Sequence, residues 1–198
     1  MTYDLKGKTI IITGANAGIG KAAAVQLAEL GANVVMACRS LERGAAALAE
    51  VKASTGNESV ELLQVDMSSQ ASISQFAGEF LSRHQRLDVL IHNAANFDLT
   101  LKNPVLTADG IETIFATNHV GVFLLTDLLL DVLKDSAPSR IITVASKGLM
   151  VYPGLDIEFD NLNCERSYNP QHAYYHSKLA QVMYTYDLAE RLAGTGVT

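Results

Sequence analysis

A doubly wound α/β fold, a parallel sheet covered by helices on both faces, is what this sequence predicts. Three observations carry the prediction. Short β-branched runs alternate with longer helical patterns, the runs are apolar almost without interruption, and a glycine-rich turn separates the first run from the first helical pattern. Strands buried on both faces lose the apolar-polar alternation of half-exposed strands. Parallel neighbours then need right-handed crossovers, each supplied by a helix.

The elements come in order along the chain. The first strand is expected over 8–13 (KTIIIT), with a helix starting near Gly18 after the turn TGANAGIG (13–20). The second strand, 33–38 (NVVMAC), leads to a helix from Leu41, and the third, 60–66 (VELLQVD), to a helix from Ser69. In that helix Ile73, Phe76 and Phe80 share a face, after a Ser68-Ser69 capping signal. The fourth strand, 88–93 (DVLIHN), precedes a helix expected near Ala108, and the fifth, 140–146 (RIITVAS), one near Gln171. With no repeat, low-complexity tract or linker, residues 1–198 read as one domain. The longest irregular stretch, about 147–170, is rich in Gly, Pro, Asp and Asn, and a loop of that length is usually functional. Within it Asp156, Glu158 and Asp160 alternate with Ile157 and Phe159, so a strand-like segment with a solvated acidic face is expected rather than a cation site.

Composition narrows the function. Of 198 residues 48% are hydrophobic and 18% charged, enough apolar surface for a folded core. The formal charge of -6, without a basic run, argues against nucleic-acid binding. Two cysteines, Cys38 and Cys164, indicate neither a disulfide framework nor a thiolate zinc site, and the five histidines lack metal-ligand spacing. GVFLLTDLLLDVL is broken by Asp127 and Asp131 and reads as too short to cross a bilayer. No apolar segment precedes the first strand, so a cytoplasmic protein without a membrane anchor is expected.

The turn at 13–20 carries chemistry. Gly14, Gly18 and Gly20 permit unusual backbone angles and close approach of a ligand, and the free N–H groups opening the helix suit a dinucleotide pyrophosphate. The spacing is G-x-x-x-G-x-G, looser than the general G-x-G-x-x-G form. At the end of the second strand an acid would bind the ribose 2′-hydroxyl of NAD, but the residues are Ala37-Cys38-Arg39-Ser40. A guanidinium suits a 2′-phosphate instead, so Arg39 favours NADP(H), with NAD(H) as the alternative. Near the other end, Tyr174 and Lys178 lie four residues apart and so on one helix face, where an ammonium favours phenolate over phenol. Tyr175 points about 100° away from Tyr174 and is expected to pack or line the pocket.

The glycine turn, Asp66, Asn93-Ala94-Ala95, Asn118, Ser146 and the Tyr174-x-x-x-Lys178 pair, in that order, resemble the short-chain dehydrogenase/reductase family. TGANAGIGKA, ACRS, DGIETIFATNHVGVFLLT, FDNLN and AYYHSKLAQVMYTYDLAERLAGTGVT are most similar to its retinol-dehydrogenase-like group. The resemblance implies a Rossmann-type fold and NADP(H)-dependent interconversion of lipophilic carbonyl compounds and alcohols. It implies that Gly14, Asn16, Gly18, Ile19 and Gly20 meet the cofactor, that Asp66 holds the adenine beside Met67, and that Asn93 and Ala94 steady the adenosine side. Asn118 would position a water linking lysine to solvent, and Ser146 would bind the substrate oxygen. Tyr174 would be the acid/base, and Lys178 would bind the nicotinamide ribose. Part of the 120–133 helix is implied as a homodimer surface, and 147–170 as an insertion near the substrate site. His92 and Ala95 depart from the family's N-N-A-G, and Ala145-Ser146-Lys147 from its Ser-Ser.

Two other readings remain open. One is a sensor or scaffold that binds NADP(H) without turnover, which an intact Asn118, Ser146, Tyr174 and Lys178 set disfavours. The other is a light-dependent reductase of a tetrapyrrole, which shares the Tyr-Lys pair. Family members usually run longer, and GTGVT falls where a sixth strand is expected to begin. The C-terminal strands of the fold are therefore expected to be missing, the fifth strand to be an exposed edge, and this chain alone to be poorly active.

Overall fold

The computed structural model describes residues 4–152 and 154–198. Five parallel strands form one sheet: β1 (Thr9–Thr13), β2 (Asn33–Cys38), β3 (Val60–Gln64), β4 (Val89–His92) and β5 (Arg140–Thr143). Their order across the sheet is β3-β2-β1-β4-β5, with Thr13 opposite Ala37, Ile12 opposite Ile91 and His92 opposite Thr143. The order reverses at β1, and the carboxyl end of such a switch point is where α/β sheets take ligands.

Helices cover both faces, as the apolar runs require. On one side α1 (Gly18–Glu29) and α2 (Leu41–Thr55) bury Ala24, Ala28, Ala47 and Val51 against Ile10, Ile12, Val34 and Met36. On the other lie α3 (Gln70–Arg83), α4 (Thr113–Asp135) and α5 (Pro170–Arg191), with Phe76, Phe80, Leu125, Leu129 and Leu188 packed on Ile11, Val35 and Leu90. Successive residues of one strand thus feed two cores, and each buried Phe contributes about 1.5–3 kcal/mol over leaving it exposed. Local signals set the helix starts. Ser40 accepts from Arg43 N–H, Ser69 from Ser72 N–H, and Asn169, ahead of Pro170, from His172 N–H.

Four expectations need correction. The helix placed near Ala108 begins at Thr113, because 105–113 folds first into a turn: Thr107 and Glu112 flank a Gly110 at φ 76°, and Leu106 bridges Glu112. Glu112 then caps Phe115 N–H. The segment 156–160 is not strand-like but turned, with Phe159 N–H on the Ile157 carbonyl and Asn161 N–H on that of Glu158. The predicted strand ends at 66, 93 and 146 run past the paired residues, which stop at Gln64, His92 and Thr143. Finally, α4 is 23 residues long and, by length and composition only, apolar enough to cross a membrane. In this fold its Val122, Leu125, Leu129 and Leu133 are buried in the core.

Beside β5, Ser139 pairs in parallel with Val197, and the Ile141 N–H donates to the Thr198 carbonyl. Further along, Ile142 is 39% exposed.

Candidate active site

The turn after β1 is held from below by one hydroxyl. Thr13 Oγ1 accepts from the N–H groups of Asn93 and Ala94, each at 3.0 Å, which locks the carboxyl ends of β1 and β4 together. The Asn93 amide donates to the carbonyls of Thr13 (2.9 Å) and Gly14 (3.3 Å). Space here admits no side chain. A Cβ on Gly14, whose φ is 67°, would lie 2.9 Å from Ala94 Cα, and one on Gly20 would lie 2.5 Å from the Gly14 carbonyl oxygen. The backbone of the turn therefore faces the cleft bare, as close approach to a ligand requires.

A cleft of about 510 Å³ opens over these strand ends. Gly14, Asn16, Arg39, Asp66, Met67, Asn93 and Ala94 line it, as do Arg43, Asn96 and Thr117. Gly18 and Ile19 are exposed at the start of α1, Ile19 by 70%, and with Gly20 lie outside that lining. The Asp66 carboxylate accepts from Ser68 N–H and Oγ–H, an arrangement that folds the chain back after β3. Arg43 was not foreseen in the sequence. One turn into α2 from Arg39, it adds a second guanidinium at the same end of the cleft, and its nearness to Arg39 in the chain was the available signal.

Beyond Asn96 the wall passes to α4 and α5. At Ala116–Val120 α4 makes a π turn. The fully buried Asn118 within it clamps the loop after β4, accepting from Asn96 N–H at 2.7 Å and donating to the Asn96 carbonyl at 3.0 Å. Its amide also donates to Ser177 Oγ (3.0 Å), so one side chain joins β4, α4 and α5. Close approach of α4 to the turn after β3 depends on Gly121, where a Cβ would lie 2.2 Å from the Met67 carbonyl oxygen.

Tyr174 and Lys178 project from α5 near this junction. The Tyr174 ring is half-buried and packs against Phe97, ring centres 4.2 Å apart, and Phe97 is itself 52% exposed. Tyr175 packs on Tyr152 and Gly148, and its ring also stands edge-on to that of Tyr174, ring centres 5.3 Å apart. Ser146 ends the segment after β5 and caps a short turn, accepting from Gly148 N–H at 3.3 Å. Lys178 is buried, and its ammonium donates to the Val144 carbonyl (3.0 Å) and to Gln181 Oε1 (2.9 Å). Burial pulls its pKa down from 10.5 to about 8.

Behind the lysine lies His92, fully buried. Thr126 spends its only proton on the Val122 carbonyl, so its oxygen accepts from His92 Nε2–H, which leaves Nδ1 as the bare nitrogen. Burial first, and then the charge on Lys178, push this imidazole down to about 3, so it is neutral throughout the physiological range. The roles of Asn96, Ser177 and Gln181 were also missed in the sequence. Only for Gln181, three residues beyond Lys178 on the same helix face, was there a signal.

Comparison with known proteins bears on the family and the fold. The family profile described as short chain dehydrogenase matches residues 8–156. Human retinol dehydrogenase 11 is 47% identical over 197 residues and human retinol dehydrogenase 13 is 45% identical over 196. The matches take in 100% and 98% of this chain but 60% and 57% of those proteins, so the chain spans about 60% of the length of such relatives. Among solved structures, a Mycobacterium paratuberculosis protein superposes with TM-score 0.82 at 35% identity, over 99% of this chain and 67% of that one. The Pseudomonas aeruginosa RhlG/NADP active-site complex superposes with TM-score 0.78 at 27% identity, over 100% and 71%.

Proposed function

The chain belongs to the short chain dehydrogenase family, and from that premise we propose that it is an NADP(H)-dependent oxidoreductase interconverting a lipophilic carbonyl compound and its alcohol, with Tyr174 as the acid/base. The observation that carries this reading is the buried Lys178 ammonium, tied to the carbonyl of Val144 at the carboxyl end of β5, one helical turn from Tyr174. The names of the retinol dehydrogenases among the relatives support a lipophilic alcohol or aldehyde as substrate.

The residues fit a phosphorylated dinucleotide. The bare Gly14 backbone and the tight contact under Gly20 make the cradle for a pyrophosphate. Arg39 and Arg43 together suit a 2′-phosphate, and Asp66 and Met67 suit the adenine. When bound, the nicotinamide supplies or accepts the hydride. The chain's own groups handle the proton and the geometry. In the reduction direction the Tyr174 hydroxyl gives its proton to the carbonyl oxygen, and in oxidation the phenolate takes it from the alcohol. Ser146 would hold that oxygen by a hydrogen bond, and Lys178 would hold the nicotinamide ribose while its charge favours the phenolate. Asn118 keeps the 96 loop and α5 in register and positions a water on the lysine side.

Exposed apolar residues around the site, Phe97, Met150 and Val151, suit a lipophilic substrate, and 147–170 is read as covering part of its pocket. Phe123 and Leu128 are exposed on α4, within the 120–133 stretch assigned in part to a homodimer surface. Two free, buried cysteines, Cys38 and Cys164, support a reducing compartment such as the cytoplasm.

The test is a panel of aldehydes, ketones and retinoids with the full-length protein and NADPH or NADH, followed at the nicotinamide absorbance. Turnover should be found with NADPH, lost in Tyr174→Phe with cofactor binding kept, and kept in Tyr175→Phe. An active Tyr174→Phe beside a dead Tyr175→Phe would overturn the assignment, and binding without turnover across the panel would favour the sensor reading.

A further inference from the structure

We propose that Gln181 is a positioning residue for Lys178: its amide carbonyl, with the Val144 carbonyl, fixes the lysine ammonium and leaves the third N–H for a ligand. This deepens the function proposed above and rests on it for the reaction, though not for the geometry.

An ammonium has three N–H donors and no acceptor, so the contact from Nζ must fall on an oxygen of Gln181. That fixes the amide orientation, with Oε1 at 2.9 Å and Nε2 turned away. Gln181 is 0% exposed, and its Nε2 has no partner among the described residues. A buried amide whose own donors go unmet is costly, so the residue is not explained by its own hydrogen-bond needs. What it does satisfy is Lys178, three residues earlier and on the same face of α5.

The choice of an amide matters chemically. A carboxylate at this place would pair with the ammonium and cancel much of its field toward Tyr174 and the cofactor. An amide orients the ammonium and leaves its charge in force. The surroundings keep to the same rule. Among the described residues no carboxylate pairs with Lys178: its ammonium meets the Val144 carbonyl, just past β5, and Gln181, and His92 of β4 lies near enough to feel its charge. Of these only His92 titrates, and it is neutral, while Tyr174 is the titratable neighbour on the same helix.

The experiment follows the ionisation of Lys178 directly, by NMR of the chain carrying ¹⁵Nζ- and ¹³Cε-labelled lysine, assigned with Lys178→Met. Gln181→Met, close in shape but without an acceptor, should lower the Lys178 midpoint by about one pH unit. Gln181→Glu should raise it by about one unit or more. NADPH affinity near pH 8.5 should weaken about tenfold in Gln181→Met, in step with the lost ammonium. Unchanged midpoints in both variants, or shifts in the same direction, would overturn the proposal, since packing alone has no reason to move them oppositely. If Gln181→Met does not fold, the nearly isosteric Gln181→Glu decides alone: a raised midpoint supports the role and an unchanged one removes it. The titration needs no substrate. Shifted midpoints with no turnover across the carbonyl panel would uphold the positioning role and sink the proposed reaction.

Discussion

At the amino ends of the strands, the buried Asp88 accepts hydrogen bonds from Lys8, from Arg86 and from the Thr9 N–H. Burial raises its carboxyl, but these bonds together outweigh it and hold the pKa at about 2. At the carboxyl ends the buried charge is Lys178, which among the described residues meets two neutral oxygens and no carboxylate, and whose pKa falls to about 8. Near it His92 Nδ1 and Gln181 Nε2 have no partner among the described residues. The sheet thus has one end where charge is neutralised by its neighbours and another where it is left uncompensated. A compensated charge steadies the fold. One left uncompensated costs stability and keeps a field available for chemistry, which is where an active site departs from the rules of folding.

Four measurements would break or sharpen that contrast. The largest effect belongs to Tyr174→Phe, which should lower turnover about 10²–10⁴-fold while NADPH binding is kept; a smaller loss would mean that another group carries the proton. Next, the lysine should reveal its cost through pH. Folded Lys178 releases its proton near pH 8 and an unfolded lysine near 10.5, so between the two the unfolded chain binds more protons and stability rises with pH. Denaturant unfolding should show the wild type gaining about 3 kcal/mol on Lys178→Met over that window. A flat difference would mean that the ammonium is compensated after all.

Asp88→Ala probes the opposite end. It should cost about 1–3 kcal/mol at pH 7 with NADPH affinity unchanged. Asp88 has a depressed folded pKa, so its contribution is present above about 3.8 and fades as the pH falls toward 2, and the gap to the variant should close over that range. A change in cofactor affinity would show that the two ends are coupled. The smallest effect is expected from Arg39→Ala and Arg43→Ala, each weakening NADPH about tenfold and leaving NADH alone. Equal losses for both cofactors would remove the 2′-phosphate from the argument.

Features encoded in neighbouring residues were legible in the sequence. The five strands, the glycine turn, the Ser69 cap and the Ile73-Phe76-Phe80 face all derive from periodicity or from a residue's conformational limits. The misplaced start of α4 is also instructive. Residues 108–112 look helical by composition, yet Gly110 at positive φ and the bridge from Leu106 to Glu112 form a turn that local propensity did not weigh. The alternation over 156–160 suggested a strand, but a strand needs a partner, and this segment turns on itself. Contacts of the Asn118 side chain with Asn96 and Ser177 lie 22 and 59 residues apart in the chain, so no window of sequence could show them.

The π turn at Ala116–Val120 separates two jobs that α4 performs in succession. A turn of this kind takes in one residue more than an α-helical turn, so the residues before it are rotated by about 100° relative to those after it. Asn118 can thus answer to the site while Val122, Leu125, Leu129 and Leu133 keep to the stripe that the sheet demands. The extra residue acts as a phase shifter between a segment that answers to the site and one that answers to the sheet. Substitutions ahead of it can retune the site without moving the core, whereas losing a single residue within it would put both halves back on one clock and leave Asn118 facing the wrong way.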